Sequence, residues 1–311
     1  MKKHSIALLL LLVLLTGCGA KTEEAPWQTA YRETGKYLQE QDALSAGSVG
    51  GEWAVIGLSR AGLLSDETAQ SYEQTVEDYV KQAGSVRLHH AKSTENSRAI
   101  LGLTAAGYNA ANMAGVDLTA GLTDMAYLRA QGTNGPIWAL IALDCHGYDI
   151  PQCADGEEQT TCEGLVAEIL SYQCSDGGWA LMGDESDVDM TAMALTSLAP
   201  YQEETDIKAA VDAPLTYLSD AQQADGGFMS WGAANSESCA QVIVALTALG
   251  IDSAADSRFV KNGASPLDGL CAFACEGGGF RHSDEVWLPS RASPHWPPAT
   301  ASGRARHACS T

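Results

Sequence analysis

Alternation of apolar and polar residues over strand length is almost missing from this chain, which excludes a β-rich architecture. Basic residues are also scarce: 18 Lys and Arg face 39 Asp and Glu, a net charge of −21. A nucleic-acid partner needs a basic surface, so that class is excluded. The same imbalance argues against direct adsorption on an anionic membrane surface. Several catalytic signatures are absent too. There is no Gly-x-Ser-x-Gly elbow and no His-Glu-x-x-His stretch, and the glycines Gly277 to Gly279 are not followed by the lysine and hydroxyl residue of a phosphate loop. The nine cysteines lack the paired short C-x-x-C steps of a structural zinc site. Cys145, Cys153, Cys162 and Cys174 form the closest cluster, where one disulfide is expected. Cys271 and Cys275 read as small buried residues on one helix face.

The N-terminus carries a short export signal. Lys2, Lys3 and His4 precede an apolar run from Ile6 to Leu15, too short for a comfortable membrane span. The run ends in Leu15-Thr16-Gly17-Cys18-Gly19, which resembles a bacterial lipobox. That resemblance implies removal of residues 1–17 and diacylglycerol on Cys18, with residues 18–26 as a polar tether. Nothing later in the chain reads as a second span. Membrane attachment through lipid, on the extracytoplasmic face of a bacterial cell, is the resulting expectation.

Residues 27–285 read as one all-α domain. An apolar segment recurs and closes each time on a glycine or proline: Trp53 to Gly62, Ser97 to Gly107, Ile137 to Gly147, Met190 to Pro200 and Ala240 to Gly250. Segments apolar nearly all round and rich in alanine and glycine belong in an interior. Between them lie amphipathic stretches, including Ser71 to Gln82, Gly121 to Gln131, Glu163 to Gln173, Ala213 to Gln222 and Pro266 to Cys275. The pattern predicts outer amphipathic and inner apolar helices in alternation, stacked because no pair can bury its own apolar face. An open solenoid and a closed ring both satisfy that pattern.

The turns repeat as well. Gln173 is followed by Gly177, Gly178 and Trp179; Gln222 is followed by Gly226, Gly227 and Phe228. A weaker copy runs from Glu276 to Phe280. Glycine after a helix end supplies the positive φ that the turn requires, and the aromatic can fold back to seal the seam. Gln173, Gly177, Trp179, Gln222, Gly226 and Phe228 are therefore expected to be structural.

These pairs and turns resemble the prenyltransferase and squalene-oxidase repeat superfamily, over about residues 50 to 282. Gln173-xxx-Gly177-x-Trp179 and Gln222-xxx-Gly226-x-Phe228 are similar to the QW-type motif of its cyclases. The resemblance implies an alpha/alpha toroid, with inner helices around a central cavity. It is nearest in kind to uncharacterised bacterial surface lipoproteins. One toroid hosts enzymes and pure binders, so it does not fix an activity.

Two catalytic patterns of the superfamily have partial counterparts. Asp187-Val188-Asp189-Met190-Thr191-Ala192 resembles the acidic motif of squalene-hopene-type cyclases, whose protonating acid would fall on Asp189. Here Met190 stands where that motif has its last aspartate. Read from the residues alone, Asp187 and Asp189 precede an apolar helix and are expected to cap it. Protein prenyltransferases hold zinc through an Asp, a Cys and a His; Glu237, Cys239 and His282 are the loose counterparts. No metal and no cofactor is expected.

From residue 286 onward the character changes. Residues 286–311 contain three arginines, four prolines, two histidines and no acid. A further inner helix would be expected there, and this segment does not read as one. A shifted reading frame is the leading explanation, and a disordered tail the alternative. The expected function is a non-catalytic, lipid-anchored surface protein that binds a small ligand or a surface partner through the toroid cavity or its rim. The alternatives are a cyclase- or prenyltransferase-like enzyme and a structural module without ligand.

Overall fold

The computed structural model describes residues 24–41, 44–48 and 50–283. Cys18, the preceding signal and the 286–311 tail lie outside the described residues. Eleven α-helices are present among them, joined by turns and short 3-10 segments. They are α1 (Pro26–Gln39), α2 (Gly51–Arg60), α3 (Asp66–Ala83), α4 (Thr94–Ala105), α5 (Met125–Arg129), α6 (Asn134–Asp144), α7 (Cys162–Ser171), α8 (Val188–Leu198), α9 (Thr205–Ala221), α10 (Ser236–Ala248) and α11 (Pro266–Cys271). The protein is all-α, relieved by one antiparallel hairpin of β1 (Met229–Ser230) and β2 (Ala233–Ala234). No described helix is long and apolar enough to cross a membrane.

Local chemistry starts the helices. Ser65 accepts from the Thr68 N–H at the head of α3, Thr161 from Gly164 at α7, Asn235 from Ser238 at α10, and Ser265 from Asp268 at α11. Each bond satisfies a backbone donor that the first helical turn leaves free.

The five recurring apolar segments are the even-numbered helices. Each packs on the next, in the order α2, α4, α6, α8, α10. Their contact faces are alanine, glycine and aliphatic residues such as Val55, Leu58, Ala99, Ile100, Leu140, Leu195 and Leu246, all at most 1% exposed. The odd-numbered helices cover this layer from outside: α7 lies on α6, α9 on α8 and α11 on α10. Helix α1 was not foreseen as a partner in this scheme. It is a sixth outer helix, packed on both α2 and α11, so the first and last described helices meet and the outer layer closes.

The glycine turns explain why closure occurs there. After α7, Cys174 N–H bonds to Gly178 O and Gly177 N–H to Cys174 O; after α9 the same pair links Gln223, Gly227 and Gly226; after α11 it links Cys275, Gly279 and Gly278. Gly177 has φ +89°, and a Cβ there would meet Ala213 of α9 at 2.5 Å. Gly278 has φ +104°, and a Cβ there would meet the Glu33 carbonyl of α1 at 2.5 Å. Each turn presses on the following outer helix, and for the last turn that helix is α1. Gly279 N–H completes the join to Thr34 Oγ1 at 3.0 Å.

Trp179, Phe228 and Phe280 occupy equivalent places behind these turns and are at most 1% exposed. Trp179 Nε1 donates to Ile169 O at 2.7 Å, so its only polar group is satisfied. Gln173 Nε2 reaches two carbonyls, Gly177 O at 2.8 Å and Ala210 O at 2.9 Å. Ala210 needs such a partner because Pro214, four residues on inside α9, has no N–H to give it. Gln222 repeats the arrangement on Gly226 O and Phe259 O.

A pairing within Cys145, Cys153, Cys162 and Cys174 is corrected: Cys145, Cys153 and Cys174 are free thiols, whereas Cys162 is disulfide-bonded, and to none of these three. Cys271 and Cys275 are free as well and only partly buried.

Candidate functional site

An inner helix has neighbours on two sides and an outer helix behind it. The remaining stripe faces the middle of the ring. On each inner helix that stripe is half-exposed and recurs every three or four residues, as at Asn134, Trp138 and Ile141 of α6 or Asp189, Met193 and Thr196 of α8. Trp53, Leu101, Trp138, Ile141, Met193 and Val244 make its centre apolar. Trp53 of α2 and Trp138 of α6 meet edge to face, with ring centroids 5.1 Å apart, although α4 lies between their helices in the ring. Only side chains that point inward can meet past an intervening helix.

Four of the five inner helices are acidic at their N-terminal ends: Glu52 on α2, Glu95 on α4, Asp189 on α8 and Glu237 on α10. Carboxylates are favoured there by the helix dipole. Glu95 is paired with Arg98 at 2.6 Å. Glu52 is 2% exposed; its Oε1 accepts from Gly47 N–H at 2.6 Å, its Oε2 has no partner, and burial raises its pKa.

The richest end is the pair α8 and α10. Asp187 Oδ1 accepts from the N–H groups of Asp189 and Met190, at 3.0 and 3.1 Å, and so caps α8. Its other oxygen accepts from Ser230 Oγ at 2.6 Å, which ties the hairpin to the helix. Asp189 does not cap, which corrects the expectation for that residue. It stands inside the first turn, after the cap, and its buried Oδ1 has no hydrogen-bond partner. Burial pushes its carboxyl up to about 6, and the charges of Asp187 and Glu237 act in the same direction. Ser238, fully buried, lies near enough to favour the ionised carboxylate, yet Ser238 Oγ completes no hydrogen bond of its own. The geometry decides here: the hydroxyl is a neighbour rather than a bonded partner. Glu237 Oε2 pairs with His282 Nδ1 at 2.8 Å, while its buried Oε1 is unpartnered.

The three residues compared with a zinc set do not converge. Glu237 and His282 are in contact, but Cys239 is fully buried and its thiol is pushed up to about 12, chiefly by burial. A thiol held in that state is a poor zinc ligand. Among the described residues no group of three His, Cys, Asp or Glu side chains is placed to hold a metal. Thr191, part of the cyclase-like motif, is occupied with the turn: its Oγ1 accepts from Trp179 N–H at 2.9 Å.

Sequence reading missed Ser230, Ser238, Trp53, Trp138 and Glu52. The three-and-four spacing of Asn134, Trp138 and Ile141 was a usable signal for the inward stripe. Nothing local marks Ser238, because it matters only through α8. The rim also exposes Met182 (80%) and Trp231 (85%). Trp231 sits at the hairpin tip with φ +53°.

No family model matches the chain, and no curated protein matches it in sequence. Among solved structures it is similar to ent-copalyl diphosphate synthase from Streptomyces platensis, at 17% identity and a TM-score of 0.49. That match covers 78% of this chain and 48% of the synthase, so the chain spans about half the length of that protein. Likeness at this level carries no conclusion about activity. The helical architecture stands on its own packing.

Proposed function

We propose that this chain is a binding protein that takes a small, largely apolar ligand into the toroid lumen, tethered through lipid on Cys18 outside a bacterial cell. The observation that carries the binding reading is the inward stripe. Half-exposed Trp53, Trp138, Leu101, Ile141 and Met193 would be stabilised by roughly 25 cal/mol for each Å2 of apolar surface that a ligand covers. Apolar linings with a few convergent polar groups are the usual makeup of small-molecule sites. The tether is proposed from Leu15-Thr16-Gly17-Cys18. Titration with the neutral, environment-sensitive dye Nile red should give saturable fluorescence near one equivalent. Met193→Trp, which fills the lumen, should weaken it. Absence of saturable binding by folded wild-type protein would refute the reading.

A second reading has its own support. Asp189 combines a carboxyl raised to about 6 with a buried oxygen that nothing satisfies, as a proton donor to an alkene would require. Met190 removes an acid that the resembled cyclases carry beside it. Incubation with linear polyprenyl substrates decides the matter. A cyclised product from wild type that disappears in Asp189→Asn would make this an enzyme.

A further inference from the structure

The large apolar side chains that the described residues leave exposed are Val86, Met182, Met229 and Trp231. All four sit in connections that lead from an outer helix into an inner one: Val86 between α3 and α4, Met182 between α7 and α8, Met229 and Trp231 between α9 and α10. These connections share one face of the ring, because the heads of successive inner helices are bonded to each other. Ser93 Oγ, at the head of α4, donates to Gln131 Oε1 just ahead of α6 at 3.0 Å. Thr133 Oγ1, at the head of α6, donates to Ala180 O ahead of α8 at 2.8 Å. Ser230 Oγ, ahead of α10, donates to Asp187 Oδ2 at the head of α8. Among the described residues, the connections from inner to outer helices expose no large apolar side chain.

Trp231 is the most demanding of the four. Ser230 pairs with Ala233 across the hairpin, so Trp231 and Gly232 form its two-residue turn, with φ +53° and +80°. Such a turn favours asparagine, aspartate or glycine at both positions, and a bulky side chain there is an outlier. The indole is thus held outward at a backbone cost, on a hairpin that Ser230 ties to α8. Nothing in the packing of the ring requires it.

We propose that this face rests on a lipid bilayer of neutral headgroups, with Trp231 and Met182 entering the headgroup layer, an inference that rests on the lipid tether proposed above. Six residue steps separate Cys18 from Glu24, which allows a reach of roughly 20 Å. A lipidated Cys18 therefore keeps the ring beside the bilayer, where its effective concentration is high and a weak contact suffices. The exposed apolar side chains then select the face, and tryptophan is the residue most at home in the membrane–water interface. Asp184 and Glu185 beside Met182, Asp225 ahead of the hairpin and the net charge of −21 disfavour an anionic surface.

The test uses the full chain, purified with its lipid and reconstituted into phosphatidylcholine vesicles with and without brominated acyl chains, which quench nearby indoles. Bromolipid should quench part of the tryptophan emission of wild type, and Trp231→Asn should remove at least half of that quenched intensity. Trp53→Phe, in the lumen, should leave it unchanged. Asparagine before Gly232 suits the turn, so the urea midpoint of Trp231→Asn should equal or exceed that of wild type; a lower midpoint would make the indole structural and overturn the inference. Flotation of the vesicles reads the tether separately. Protein that floats while Trp231→Asn leaves the quenching unchanged would overturn the face contact and leave the tether standing. Protein that does not float would refute the tether and this inference together. Stronger quenching on vesicles enriched in phosphatidylglycerol would overturn the choice of a neutral surface.

Discussion

Gln173 offers a sharp test of how the ring is held together. Its Nε2 serves Gly177 O and Ala210 O, and the second of these has no helical donor because Pro214 stands four residues later. Gln173→Ala removes both bonds. A neutral hydrogen bond contributes about 1 kcal/mol net, and a stranded buried acceptor costs about 1–3 kcal/mol. Gln173 is half-buried, so water relieves part of the loss. The expected cost is about 2 kcal/mol, at the low end of those ranges. Pro214→Ala restores an N–H in register with Ala210 O. In that background only the bond to Gly177 O is lost, and the cost of Gln173→Ala should fall to about 1 kcal/mol. Urea unfolding of wild type, both single variants and the double variant, followed by circular dichroism, measures the difference. A cost for Gln173→Ala that is the same with proline or alanine at 214 would refute the account.

Three further outcomes follow from the same geometry. Asp187→Ala should cost about 0.5–2 kcal/mol of thermal stability, and Asp187→Asn should recover most of it, since asparagine caps as well as aspartate; equal losses in the two variants would refute the capping role. Asp189 has a folded-state pKa raised to about 6 by burial, with Asp187 and Glu237 as the facing charges, so its contribution to stability is full below about pH 4 and is lost as pH rises through 6. Asp189→Asn should therefore match wild type near pH 4 and exceed it by about 2–3 kcal/mol at pH 7.5, as chemical denaturation at the two pH values will show. Cys18→Ala should move the protein out of the membrane fraction, and an unchanged distribution between membrane and soluble fractions would rule out the lipid tether.

The chain's local order was legible because it is local. A helix advertises its buried face within a few residues, so the apolar segments at 53–62, 97–107, 137–147, 190–200 and 240–250 identify inner helices before any contact is known. The turn around Gly177 is similarly self-contained: its glycine φ and the Trp179 seam follow from seven residues. Asp187 caps α8 from immediately before it. Asp189, two residues later, reads like a cap in sequence but is not one, because its surroundings are supplied by α10 and the hairpin.

Everything that depends on ring curvature had to wait for the tertiary structure. Helix α1 carries no motif that marks it as the partner of a turn more than 240 positions away, yet Thr34 and Glu33 receive Gly279 and Gly278. Trp53 and Trp138 meet past an intervening helix. Asp189 comes against Ser238 and within the field of Glu237, although nearly fifty residues separate it from both. The sequence by itself determined which residues become helices, which faces are apolar and where the chain turns, since short-range sterics and hydrogen bonding settle those. Tertiary structure alone decided which helix ends meet and which polar atoms are left without partners, because each successive packing rotates the next helix by an amount that side-chain volume sets and no local pattern encodes.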